Sequence, residues 1–263
     1  MGFLKKNTAL VGEELWAELE GRAKEVISSM TTTRRVLQVS GPKGLDYNAV
    51  KEGRLDSVKE GDIEVGTYRV KPLIEVRRNF SLPRTELDNF YRGAKDIELD
   101  NLEQAVREIT LFEEEAVLNG YEEGNIQGLT AASEKTFELG KSGDEILRAI
   151  SEAKYSLMDN YAEGPYDLVL SPEAYDRLNQ IYEGAPLLPI VGKLLDGGVI
   201  LRSKSVNGAI MIPHRHEDLE LTIGQDFAIA YDSYDEENVN FFVTESFTFR
   251  ILDESIIAAF TVK

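Results

Sequence analysis

The sequence predicts an α+β fold, and three observations predict it. Amphipathic helices stand apart from the strands, residues 214–263 read almost wholly as alternating strand, and a long polar hairpin interrupts the first third of the chain. With 263 residues, 42% of them hydrophobic, the chain can build one large domain or two small ones around a genuine core.

Residues 11–30 carry Leu15, Leu19, Val26 and Ile27 on one helical side, with Gly21 as a weak point. Such a terminal helix needs a surface to lie against. Residues 34–39 are predicted as a short strand, stopped by the turn Gly41-Pro42-Lys43-Gly44. From Asp46 to Lys71 the composition becomes polar and Gly-containing, and weak alternation at Ile63, Val65, Tyr68 and Val70 predicts a long hairpin arm. A lone two-stranded arm is marginal in water, so intersubunit contact is expected of it.

Leu73 to Phe80 resumes as a strand, after which Pro83 opens a short helix that Gly93 closes. Asp100 with Glu103 reads as a capping box for a helix over 101–119, whose stripe is Leu102, Ala105, Val106, Ile109, Phe112 and Ala116. Ser142 with Glu145 reads as a second box, ahead of Ile146, Ile150, Ala153 and Leu157. Beyond Gly164-Pro165 come a buried strand, Tyr166 to Leu170, a helix begun by Ser171-Pro172, and strands near 199–202 and 209–212. The C-terminal strands alternate at Leu219, Leu221 and Ile223, then at Phe227, Ile229 and Tyr231. A longer run follows, Val239, Phe241, Val243, Phe247, Phe249 and Ile251, broken only by Glu245.

Composition excludes several function classes. Acidic residues outnumber basic ones 47 to 29, for a formal charge of -18, so wrapping a phosphate backbone is not expected. The absence of cysteine rules out disulfides and thiolate chemistry and fits a cytoplasmic protein. Lys5 and Lys6 are not followed by the apolar run of a signal peptide, and no stretch could span a membrane as a helix, so no membrane partner is expected. His214 and His216 flank Arg215 beside Pro213 and read as an exposed connection. Glu113, Glu114 and Glu115 lack the Glu-x-x-His partners of a carboxylate metal site and read as a solvated or intersubunit acidic face. The glycine clusters lack phosphate-loop spacing, and no Gly-x-Ser-x-Gly elbow is present. A hydrolase would have to use one of the two histidines as its base, so no enzyme, metal or cofactor is expected.

A set of landmarks carries a resemblance instead. They are Phe3-Leu4-Lys5-Lys6 with Trp16, Gly41-Pro42-Lys43-Gly44, Pro72-Leu73-Ile74-Glu75, Glu86-Leu87-Asp88-Asn89 with Arg92-Gly93, and Gly164-Pro165-Tyr166. Gly224-Gln225-Asp226 and Thr244-Glu245-Ser246-Phe247-Thr248-Phe249 complete the series. In this order the chain resembles encapsulins over its whole length; these are nanocompartment shell proteins with the tailed-phage major-capsid fold.

The resemblance implies a division into an N-terminal helix and arm (1–45), an extended loop (46–76), a discontinuous peripheral domain (77–139 and 214–263) and an axial domain (140–213). It implies self-assembly into a closed icosahedral particle, in the smallest class of about 60 copies. It also implies that a cargo enzyme's C-terminal peptide docks between the first helix and the peripheral sheet. By that analogy Ile27, Arg34, Asp226, Phe227 and Ile229 are the candidate docking residues, with Arg34 and Asp226 orienting the peptide. Glu183, Gly184, Ala185, Pro186, Leu187 and Leu188 correspond to the five-fold pore loop. The usual guests of the family are ferritin-like proteins and dye-decolorizing peroxidases, linked to iron storage and oxidative stress. Thr85 stands where some relatives hold a flavin against tryptophan, so no flavin is expected. The alternative reading is a phage or prophage capsid protein that packages DNA.

Overall fold

The computed structural model describes residues 3–9 and 11–262. Its elements, in chain order, begin with α1 (Glu13–Met30), α2 (Thr33–Val36), β1 (Gln38–Ser40), β2 (Ala49–Glu60), β3 (Ile63–Pro72) and β4 (Ile74–Pro83). Then follow α3 (Arg84–Tyr91), α4 (Asp100–Asn119), the short pair β5 (Gly120–Tyr121) and β6 (Ile126–Gln127), α5 (Leu129–Ala132), β7 (Lys135–Leu139) and α6 (Gly143–Asp159). β8 (Tyr166–Leu170), α7 (Pro172–Leu178), the hairpin of β9 (Ile181–Tyr182) and β10 (Ala185–Pro186), α8 (Leu187–Leu194), β11 (Ile200–Arg202) and β12 (Ala209–Pro213) lead into the last strands. These are β13 (Leu219–Ile223), β14 (Ala228–Tyr234), β15 (Asn238–Ile251) and β16 (Ala258–Val262).

Two sheets organise the body. In the first, β15 is the central strand, paired with β4 on one side and with β14 and then β13 on the other, while β1 adds beyond β13. The second runs β11-β8-β12-β16-β7. The division expected at 139/140 and 213/214 is therefore not the one the sheets follow, because β7 and β16 belong to the second sheet. Alternation reveals a strand but not its neighbour, and Ala258–Phe260 finds β12 only in three dimensions.

There are two apolar cores, α4 and β15 run through both, and β13 of the first sheet packs into the core of the second. Leu102, Ala105, Val106 and Ile109 pack with Leu15, Trp16, Leu19 and Phe241 in one core. Ala116, Val117 and Leu118 pack with Phe247, Phe249 and the α6 stripe in the other. Phe241 anchors the first, stacking on Phe80 at 5.4 Å and meeting Trp16 edge-on at 5.7 Å. The predicted helix over 101–119 is thus the spine that joins the two halves.

Local expectations were met unevenly, for identifiable reasons. The box at Ser142 forms: its Oγ accepts from Glu145 N–H, and Glu145 Oε2 accepts from Ser142 N–H at 2.9 Å. Ser142→Ala is expected to cost about 1 kcal/mol, read as a small drop in the thermal midpoint of the particle with assembly unchanged. The box at Asp100 does not form, because the helix starts one residue earlier, with Leu99 at the cap position. Glu103 then falls outside the reciprocal spacing and pairs instead with Arg22 of α1 at 2.5 Å.

Residues 34–39 are a further correction. Thr33–Val36 form a helical turn, and only Gln38–Ser40 is strand, parallel to β13. The cause is distant in sequence: Glu114 Oε1 accepts the N–H groups of Thr32 and Thr33 at 2.8 Å each, and the hydroxyls of both threonines also donate to this carboxylate. A buried carboxylate at the start of a turn favours the helical state that local propensity does not.

The arm is as expected. β2 and β3 pair only with each other, turn at Gly61, where φ is 65°, and leave every residue from 51 to 70 exposed. Among the described residues no helix is long and apolar enough to cross a membrane.

Candidate functional site

A groove lies between α1 and the edge of the first sheet. Its volume is about 430 Å³, and all five residues predicted for docking line it: Ile27 from α1, Arg34 from α2, Asp226 and Phe227 just ahead of β14, and Ile229 within it. Helical spacing brings Ala23 and Ile27 to the same wall. The neighbouring strand contributes Val243, and Lys6, Glu20 and Lys24 close one end. The walls are apolar, with Ile229 and Val243 buried, and the ends are charged.

Arg34 is held by three carboxylates of its own subunit. Its Nε donates to Glu113 Oε1 at 2.9 Å, its Nη1 to Asp226 Oδ1 at 2.8 Å, and its Nη2 to Glu113 Oε2 at 2.6 Å and to Glu245 Oε1. Its face covers the Phe227 ring at 4.5 Å. Its Nε–H, both Nη2 N–H groups and one Nη1 N–H are engaged within the subunit, so Arg34 builds the wall of the groove and positions Asp226 and Phe227. Asp226 is the more open member, its side chain 45% exposed.

Behind Arg34, Glu113 and Glu245 are wholly buried at the seam between the two cores, together with Thr110 and Thr244. This corrects the acidic-face reading of Glu113 and Glu114: both are buried, one on Arg34 and the other on Thr32 and Thr33. Burial in the first place, and then the charge of Glu113, push the Glu245 carboxyl well above the ordinary range. Its Oε2 has no hydrogen-bond partner among the described residues, and an ionised carboxylate there would leave a charged oxygen unsolvated. Burial likewise raises the Glu114 carboxyl, against the pull of the threonine donors.

The other predicted residues divide. Glu183, Gly184, Ala185 and Pro186 form the exposed β9–β10 turn, whereas Leu187 begins α8 and is fully buried; Leu188 is half-buried beside it. Leu187 therefore packs into the core of the subunit. Tyr182, at the base of this hairpin, donates to Asp144 at 2.6 Å, which helps push its hydroxyl up to about 12. His214 is half-buried and tied through Nδ1 to buried Asp167 at 2.7 Å, so it is less exposed than expected. Among the described residues no group of three or more metal-ligating side chains occurs.

Sequence reasoning missed Glu113 and Glu245 as supports of the groove. One signal was present: Glu245 is the single charge among the alternating apolar positions from Val239 to Ile251, and a charge placed there requires a buried partner.

A central β15 flanked on both sides, a spine helix, a second compact sheet and a projecting arm define a capsid-type shell subunit. The chain aligns with a virus-like particle from Pyrococcus furiosus at TM-score 0.71 and 20% identity, covering 93% of this chain and 98% of that one. It aligns with the capsid of Myoviridae phage XM1 at TM-score 0.59 and 11% identity, covering 87% and 90%. These likenesses concern the fold. Residues 1–248 match the family model Linocin_M18, described as encapsulating protein for peroxidase. The type 1 encapsulin shell protein of Rhodospirillum rubrum is 35% identical over 96% of this chain and 94% of its own, and that of Mycobacterium tuberculosis is 32% identical over 95% of each. The chain belongs to the encapsulin shell protein family, whose members build capsid-like compartments.

Proposed function

We propose that this subunit assembles into a closed icosahedral shell of the smallest class and holds a guest enzyme by the guest's C-terminal tail in the groove between α1 and β14. The observation that carries the docking reading is the convergence of Ile27, Arg34, Asp226, Phe227 and Ile229, from three separate segments, on one groove with apolar walls and charged ends. That composition suits a short tail with apolar side chains and a few polar groups. The family description supports a peroxidase as guest, and a ferritin-like protein is the other candidate.

A phage shell that packages DNA shares this fold. The net charge of -18 disfavours it, and DNA sealed inside nuclease-treated native particles would be the result in its favour.

Ile27→Glu places a carboxylate in the apolar wall at a half-buried position. The expected result is particles of normal size by electron microscopy whose guest-to-shell ratio falls on the order of tenfold or more, because the charge must be desolvated against apolar groups. Normal guest content in well-formed Ile27→Glu particles would remove the groove from consideration.

A further inference from the structure

We infer that the docked tail joins the subunit as an added strand, pairing its backbone with Ile229 on the outer edge of β14; the inference rests on the docking reading above. Ladder alternation identifies which groups face outward. Ser246 N–H donates to Gln225 O and Gly224 N–H donates to Ser246 O, each at 2.8 Å. Ser246 of β15 therefore turns its backbone groups toward this side, and by alternation so do Thr244 and Phe242. Their register partners are Ala228 and Ala230. Ile229 and Tyr231, between and beyond them, turn N–H and C=O to the opposite edge. Tyr231 bears this out, since its N–H donates outward to Leu4 O at 3.0 Å.

The subunit's own chain pairs with this edge on both sides of Ile229. Ahead of it, the N–H groups of Lys43 and Gly44 donate to Ile223 O and Gly224 O at 3.0 and 2.9 Å. Gly41 makes that close approach, because a Cβ there would lie 2.4 Å from Ile223 O. Next, Phe227 N–H donates to Asp226 Oδ1, and Asp226 O accepts from Gln225 Nε2. Past it comes Leu4. Among the described residues nothing pairs with the outward N–H and C=O of Ile229, although the residue is only 3% exposed. Buried backbone groups are almost always paired.

The lining of the groove agrees. Phe227, Ala228 and Ile229 all contribute to it, yet successive side chains of a strand point to opposite faces. The groove therefore takes in the backbone edge of β14 as well as the sheet face that Ile229 and its partner Val243 share. The opposite wall is the Ala23–Ile27 side of α1, so an extended chain entering there meets a strand edge on one flank and apolar helix on the other.

The test compares Ile229→Pro with Ile229→Ala. Proline at this position removes only an outward N–H and spares the ladder to β15, whereas alanine keeps the N–H and removes most of the side chain. The probe is a fluorescent protein carrying the C-terminal tail of whichever protein co-purifies with native particles. Loading of Ile229→Pro particles is expected to fall about tenfold below that of Ile229→Ala, the cost of one unmade buried hydrogen bond. Equal loading of the two variants, with the unsubstituted shell loading normally, would overturn strand addition and leave docking intact. Failure of the unsubstituted shell to load would instead count against the docking reading itself. Should Ile229→Pro not assemble, amide exchange on the unsubstituted shell decides the matter. Exchange in the peptide containing Ile229 is expected to slow about tenfold on loading; equal protection in empty and loaded particles would mean that the shell's own chain covers this amide, and would overturn the inference.

Discussion

Excision of residues 54–68, with the ends closed by a short turn, is expected to yield a folded subunit that forms no closed particles. The arm pairs only with itself, so the body loses nothing by its removal. Leu55, Val58, Ile63, Val65, Tyr68 and Val70 are 46–75% exposed on it, an apolar load that an isolated hairpin has no means of burying. Covering such side chains on a neighbour contributes on the order of 1 kcal/mol each, and a closed shell repeats that contact at every copy. Loss of the arm should therefore shift the population from particles to small soluble species. Electron microscopy and light scattering read the result directly, and particles of undiminished yield and diameter would show that the arm is dispensable for closure.

Arg34→Ala is expected to be the most damaging single substitution at the groove. It leaves Glu113 and Glu245, both wholly buried, without their shared counterion. Breaking a buried pair in this way costs about 3–5 kcal/mol, and the soluble yield of particles should fall accordingly. Adding Glu245→Gln to Arg34→Ala should recover part of that loss, since one buried acid is then a neutral amide. No recovery in the double variant, measured by thermal unfolding of the particles, would mean that Arg34 acts by packing alone.

Glu245 also gives the fold a pH dependence of definite sign. Its folded value lies well above the ordinary carboxylate value, so between the two the folded state binds the extra proton and stability falls as pH rises. The loss begins near the unfolded value of about 4.3 and ends at the raised folded value. Glu245→Gln should be more stable than the unsubstituted protein at neutral and alkaline pH and lose that advantage in acid. The same advantage at every pH would show that the carboxyl does not titrate on unfolding.

Much of this was legible in the chain itself. The helix stripes, the arm between Asp46 and Lys71, the Ser142 cap and the long β15 run are local patterns of apolar spacing, and they stood in the structure close to where the residues placed them. The five docking residues came from resemblance, and the structure brings them to one groove without testing what fills it. Local pattern failed where a distant group overrode it. Residues 34–36 read as strand until Glu114, far along the chain, accepts the amides of Thr32 and Thr33 just ahead of them; Glu113 reads as solvated until Arg34 and Glu245 close around it; Leu187 reads as loop until α8 turns it inward.

By itself, then, the sequence determined the long helices and most of the long strands, that the arm cannot complete itself, and which family the landmarks indicate. These follow from periodicity and composition, and both are properties of neighbouring residues. Only the tertiary structure decided that β7 and β16 join the second sheet, that Arg34 is tied to three carboxylates of its own subunit, and that, among the described residues, the outward backbone groups of Ile229 are left unpaired. Each of these depends on hydrogen bonds and charges between residues far apart in the chain, whose partners no local pattern specifies.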